Sequence, residues 1–183
     1  MFIRLASKLQ KDSIVDGEGI RAVIWTQGCP HHCPGCHNPM THDYNGGFLE
    51  DVEDLKKEIN SLDDEVGVTF SGGDPFEQPE ACFELAKYIH SIGLNVWCYT
   101  GYTYEQLLKK KEKNSAIDDF LREIDILVDG RFVMKLKSYE IKFRGSKNQR
   151  IIKVPESLKS GKVVIYDCDE KKKKESKKKE VYI

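Results

Sequence analysis

Hydrophobic and polar positions along this chain follow two alternating periods. Ile20 to Gln27 is an apolar, β-branched run stopped by Gly28, the pattern of a buried strand. Val66 to Phe70, Leu94 to Tyr99 and Ile126 to Val128 repeat it, each short and each bounded by turn residues. Between these runs the apolar positions recur at helical spacing. Leu49, Val52, Leu55, Lys56 and Ile59 predict a helix over 49–60, with acidic residues early and lysines later, matching the helix dipole. Pro79 opens and Gly93 closes a second helix whose Cys82, Leu85, Ala86, Ile89 and Ile92 share one stripe. Thr103 with Gln106 has the form of a capping box for a helix reaching Lys111, and a short helix spans Ser115 to Ile124. Ile3 to Lys8 reads as an extended lead-in and Ile151 to Val154 as a fifth strand. Pro155 to Ser160 makes a helical turn and Val163 to Tyr166 an edge strand. Phe132 to Gln149 fits neither period.

Strands alternating with helices imply a parallel sheet with right-handed crossovers. Ligands of such sheets bind at the C-terminal ends of the strands. Four of the apolar runs lead directly into loops of special composition. These are the cysteine-rich stretch after Gln27, Ser71-Gly72-Gly73-Asp74, Thr100-Gly101-Tyr102 and Asp129-Gly130-Arg131. All four loops should therefore meet at one mouth, and this placement argues for an active site.

Composition narrows the setting. At 183 residues, 39% hydrophobic and 32% charged, the chain is expected to be one domain with its own core over 1–167. From Glu170 to Glu180 seven lysines and three glutamates give +4, against −5 for the rest of the chain. This marks 168–183 as a solvated, disordered tail. No apolar run is long enough to cross a bilayer and the start lacks a secretion signal, so the expected location is cytoplasmic. Six cysteines there are not a disulfide framework. Cys82 and Cys98 read as small buried hydrophobes. The body has no basic surface suited to nucleic acid.

The chemistry is concentrated in Cys29-Pro30-His31-His32-Cys33-Pro34-Gly35-Cys36-His37, spaced C-x3-C-x2-C. Two metal readings follow. Zinc could take the three thiolates plus His31, His32, His37 or His42 as a structural site with no catalysis. An iron–sulfur cluster could take three thiolates on three irons and leave a fourth iron open. In Ser71-Gly72-Gly73-Asp74 the glycines admit close backbone approach, and Asp74 adds negative charge that an ammonium group would meet.

Together these segments resemble the radical S-adenosylmethionine superfamily, through C-x3-C-x2-C after one strand and Gly72-Gly73-Asp74 after the next. The fuller resemblance is to the activating proteins of anaerobic ribonucleoside-triphosphate reductases, a family of glycyl-radical enzyme activases. It is carried by Asp16-Gly17-Glu18-Gly19-Ile20-Arg21, Gln27-Gly28-Cys29-Pro30, Pro34-Gly35-Cys36-His37-Asn38-Pro39, Thr69-Phe70-Ser71-Gly72-Gly73-Asp74-Pro75-Phe76, Val96 to Tyr102 and Lys142 to Arg150.

The resemblance implies an α/β fold, a partial (open) β/α barrel with a mainly parallel sheet and its active site at the C-terminal strand ends. It implies a [4Fe-4S] cluster on Cys29, Cys33 and Cys36, with S-adenosyl-L-methionine chelating the open iron. Gly72, Gly73 and Asp74 would orient its amino group, while Gly35, Cys36, His37, Thr100 and Gly101 line its site. One-electron cleavage would yield methionine and a 5′-deoxyadenosyl radical, which takes hydrogen from a glycine of the reductase's large subunit. The partners implied are that subunit and an electron donor such as flavodoxin or ferredoxin. Asp16 to Arg21 and Lys142 to Arg150 are expected at a peptide-accepting rim. An activase of another glycyl-radical enzyme, such as pyruvate formate-lyase, is the nearest alternative.

Overall fold

Four strands with the buried apolar pattern form the middle of a single sheet, and all four run parallel. The computed structural model describes residues 1–168. In it β3 (Arg21–Thr26), β5 (Gly67–Gly72), β6 (Asn95–Tyr99) and β7 (Ile126–Asp129) lie side by side in that order. Their register is parallel throughout, Thr26 opposite Gly72, Phe70 opposite Cys98 and Cys98 opposite Leu127. Both margins are antiparallel. On one side β1 (Phe2–Leu5) and β2 (Gln10–Ser13) pair with different stretches of β3, and β4 (Phe48–Asp51) pairs with β1. On the other, β8 (Arg150–Lys153) pairs with β7. The architecture is thus mixed α/β around a parallel centre.

The crossover helices are α1 (Val52–Asn60), α2 (Pro79–Ser91), α3 (Tyr104–Lys110) and α4 (Ser115–Arg122), and α5 (Val154–Ser160) follows β8. Their apolar stripes close over the sheet. Val68, Phe70, Leu85, Ile89, Phe120 and Leu121 are fully buried. Phe120 meets Phe70 edge-on at 5.3 Å between centroids and Phe76 at 5.0 Å. Aromatic pairs of this kind add about 0.5–1.5 kcal/mol beyond area burial. Cys82 and Cys98 lie in the same core, as expected of small hydrophobes. The capping box at Thr103 and Gln106 is present, and Pro79 occupies the first turn of α2.

Three local expectations are corrected. The first helix starts at Val52 rather than Leu49, because residues 48–51 hydrogen-bond to β1 as a strand. Leu49 points outward at 56% exposure, and Asp51 caps the helix by accepting from the Glu53 N–H. Strand β2 escapes the apolar pattern because three of its four residues are exposed. Val163 to Tyr166 makes one antiparallel bridge, Ile152 to Ile165, instead of a strand. The lysine-rich tail lies outside the described residues except for Cys168. Among the described residues, no helix is long and apolar enough to cross a membrane.

At the edge opposite the four loops, His90 at the end of α2 meets two carboxylates. Its Nδ1 lies 3.0 Å from Glu123 Oε2 and its Nε2 3.0 Å from Asp125 Oδ2. Asp125 also accepts the Val96 N–H at 2.7 Å, tying α2 and α4 to the start of β6. Burial alone would lower the imidazole pKa, but hydrogen bonds to Asp125 and Glu123 outweigh it and hold the value above 6.5. A raised folded-state pKa stabilises fully below the unfolded value and ceases to do so as pH rises through the folded one. The thermal midpoint should therefore fall as pH climbs from below 6.5 through the raised His90 value. His90→Ala should flatten that dependence. An equal slope in wild type and variant would contradict the assignment.

Candidate functional site

Because the four central strands are parallel, their C-terminal ends deliver the four special loops to one edge. The cysteine loop leaves β3 through Gly28, which is clamped from two sides. Gly28 N–H donates to Thr41 O at 2.9 Å, and its carbonyl accepts the Asp74 N–H at 2.8 Å. Gly73 N–H in turn donates to Thr26 O at 2.7 Å. The two backbones touch so closely that a Cβ on Gly73 would fall 2.3 Å from the Gly28 oxygen. Gly101 is constrained similarly, since a Cβ there would lie 2.2 Å from the His31 ring. These two glycines are required by contact.

Cys29, Cys33 and Cys36 are free thiols lining one cavity of about 150 Å³. Gly72, Gly73, Thr100 and Gly101 form its opposite wall, with His37, Asn38 and Gln149 at its border. Within the loop, Cys36 N–H donates to Cys33 O at 3.0 Å and Asn38 N–H to Cys36 Sγ at 3.4 Å. Burial pushes the Cys29 thiol up to about 11 and raises Cys33, partly offset by backbone hydrogen bonds from His31 and Phe132. A metal bound here must displace those protons.

The cavity continues into a larger cleft of about 580 Å³ through shared walls at His37, Asn38, Ser71, Tyr99, Phe132 and Gln149. Ile14, Val15 and Tyr139, all exposed, stand at its rim, and Lys142, Phe143 and Arg144 line it. This volume falls within the range of about 300–1,000 Å³ typical of small-molecule sites.

Of the residues expected to contact a cofactor, Cys36, His37, Gly72, Gly73, Thr100 and Gly101 line the cavity. Asp74 is placed differently: it is fully buried behind the wall with both oxygens engaged by the protein. Gly35 is covered by Met134, whose methyl would lie 1.9 Å from an added Cβ. Arg21, expected at the rim, is completely buried. Its guanidinium donates to Thr69 Oγ1 at 2.7 Å, Asn95 Oδ1 at 2.8 Å and Val68 O at 3.0 Å, and it lies 5.4 Å from the Trp97 ring centroid. Burial draws its pKa down to about 10, still protonated at neutral pH. Arg150 is paired with Asp129 and Glu105. Sequence reasoning missed Thr41, whose hydroxyl bridges Asn38 O at 2.7 Å and Gly72 O at 3.1 Å. A lone threonine carries no signal of that kind.

Three thiols around one cavity fit a polynuclear centre in which each thiolate serves its own iron. A mononuclear zinc site needs four donors converging on one point. Among the described residues no three His, Cys, Asp or Glu side chains, the three thiols included, are drawn together on one point.

Residues 15–152 match a family model described as a 4Fe-4S single cluster domain. An anaerobic ribonucleoside-triphosphate reductase-activating protein of Escherichia coli (strain K12) is 37% identical over 147 residues, covering 74% of this chain and 90% of that protein. The protein of the same name from Haemophilus influenzae is 31% identical over 147 residues, covering 75% and 90%. That of Enterobacteria phage T4 is 28% identical over 144 residues, covering 75% and 86%. This chain belongs to the anaerobic ribonucleoside-triphosphate reductase-activating protein family. Among solved structures, QueE from Escherichia coli aligns with a TM-score of 0.45 and 18% identity over 56% of this chain and 54% of that one.

The contact between Gly28 and Gly73 makes a test of how this family member builds its site. Gly73→Ala should force the ends of β3 and β5 apart, at a cost of about 1–3 kcal/mol. Chemical denaturation should show that loss, and iron content after anaerobic reconstitution should fall with it. Unchanged stability and loading would show that the two strand ends can separate freely.

Proposed function

We propose that this protein activates an anaerobic ribonucleoside-triphosphate reductase by installing a glycyl radical on its large subunit. The convergence of three free thiols and two glycine-rich loops on one cavity supports the reading most strongly. Cys29, Cys33 and Cys36 would hold the [4Fe-4S] cluster. The backbones of Gly72, Gly73, Thr100 and Gly101 would present hydrogen-bonding groups to S-adenosyl-L-methionine, with His37 at the cavity's border. The chemistry supplied by the bound pair is one-electron reductive cleavage to methionine and a 5′-deoxyadenosyl radical, which abstracts hydrogen from a backbone glycine.

The chain's own contribution is positioning and exclusion of water. Residues 1–167 act as one domain whose open β/α barrel leaves the C-terminal strand ends accessible to a loop of another protein. The adenosyl portion and the incoming peptide share the larger cleft, where Tyr99, Phe132 and Phe143 provide apolar walls. Arg144 stands at that cleft with its Nε buried and without a partner, and its Nη1 donates to Gln149 O at 3.2 Å. It is the candidate to grip a carboxylate or carbonyl of the incoming peptide. A cytoplasmic electron carrier such as flavodoxin or ferredoxin would supply the electron.

Reconstituted, reduced protein incubated with S-adenosyl-L-methionine and the reductase should release 5′-deoxyadenosine and give a glycyl-radical resonance on the large subunit. Alanine at Cys29, Cys33 or Cys36 should reduce both signals to background. A radical appearing only on a different glycyl-radical enzyme would reassign the substrate, and zinc without iron would end the enzymatic reading. Separately, Arg144→Ala should lower glycyl-radical yield by about 10-fold or more while leaving cluster content intact, as expected for loss of a charge-assisted contact. A yield equal to wild type would remove Arg144 from the peptide site.

A further inference from the structure

The acidic residue after the two glycines is sealed inside the protein. Asp74 has no exposed surface. Its Oδ2 accepts from His31 Nε2 at 2.7 Å, from the Thr100 hydroxyl at 2.8 Å and from the Gly101 N–H at 3.0 Å. Its Oδ1 accepts the Phe76 N–H at 3.1 Å and lies 3.0 Å from the same Thr100 hydroxyl. Four protein donors thus surround the carboxylate, the Thr100 hydroxyl being shared between its two oxygens.

The donor that stands out is His31. It sits in the stretch between the first two cysteines, yet its side chain is only 3% exposed. Its ring packs edge-on against Tyr102 at 4.5 Å and directly on Gly101. Its Nδ1 is buried without a partner, and Nε2 is assigned the hydrogen because Asp74 faces it with an accepting oxygen. A buried imidazole with one unsatisfied atom costs free energy, so the bond to Asp74 must outweigh that loss. Of Asp74's donors, Phe76 lies on its own loop, Thr100 and Gly101 on the loop after β6, and His31 on the cysteine loop. The carboxylate therefore joins three of the four loops at the mouth.

We propose that Asp74 is a positioning residue for the cysteine loop: through His31 it pins the segment between Cys29 and Cys33 against Thr100 and Gly101, and does not contact the cofactor. The proposal rests on the cluster reading above. Asp74 accordingly acts on cluster assembly, whereas a direct ligand of the amino group would act on S-adenosyl-L-methionine affinity. His31 is assigned the same role, although it coordinates no iron.

The test separates those effects with four variants, Asp74→Asn, His31→Leu, the double substitution and His31→Gln. The last keeps an N–H near the position of Nε2. Each protein is reconstituted anaerobically and assayed for iron and sulfide, and then for equilibrium binding of labelled S-adenosyl-L-methionine per cluster-bearing chain. The spin-resonance spectrum of the reduced cluster is recorded with and without that ligand. Asp74→Asn and His31→Leu should each weaken iron retention by about 10–100-fold, the range for residues that orient metal ligands. The double variant should be no worse than the poorer single, because both disrupt one strut. His31→Gln should recover most of the loss, which a role in packing alone would not produce. Chains that do hold a cluster should show the wild-type spectral change, with a loss of S-adenosyl-L-methionine affinity well below tenfold, because only the support behind Thr100 and Gly101 is loosened. Full cluster content in Asp74→Asn with a tenfold or greater loss of ligand affinity would overturn the proposal. So would additive losses in the double variant or no recovery by His31→Gln. Wild-type protein that takes up no iron would instead fail the cluster reading, and this proposal with it.

Discussion

Because Asp74 is sealed from water, each of its oxygens must find a donor within the protein, and those donors come from three separate loops. A buried carboxylate left unpaired costs several kcal/mol, roughly, so the three loops cannot drift apart independently. Their convergence begins with the parallel register of β3, β5, β6 and β7, which brings the loop origins to one edge. Register sets where the loops start, and the carboxylate fixes how they meet. The thiol cavity lies on the far side of that junction.

Arg21 plays a comparable part for the segment before β3. Its guanidinium is buried among hydroxyl, carbonyl and side-chain amide oxygens, and it links the approach to β3 with β5 and β6. A motif expected to place a cation at the rim thus hides a structural one. Lys142 and Arg144 remain at the cleft, while Arg150 is committed to Asp129 and Glu105. Basic residues close in sequence consequently divide between holding the sheet edge together and lining the cleft.

The central strands and their helices were legible because period and burial coincide there. Val68, Phe70, Leu85 and Phe120 are apolar by type and buried in fact. β2 was not legible, since Gln10, Lys11 and Asp12 are exposed and stay polar whatever their backbone pairing. β4 imitates the first turn of a helix because Leu49 falls at a helical spacing by coincidence while pointing to solvent. At the site, the cysteines and glycines declared themselves through spacing and turn chemistry. The roles of Asp74, His31 and Thr41 did not, because each depends on a partner dozens of residues away or on a backbone carbonyl with no side-chain signature.

The contact between Gly28 and Gly73 is made by main-chain atoms alone. It therefore sets no condition on the side chains that follow it in the cysteine loop. His31 apart, side chains between the thiols can be exchanged without moving the root from which the first thiol is hung. What such exchanges alter is the loop's outer surface, the part a partner protein would read. The root of the thiol-bearing loop is in this way fixed by one pair of glycines, whatever side chains its exposed positions carry.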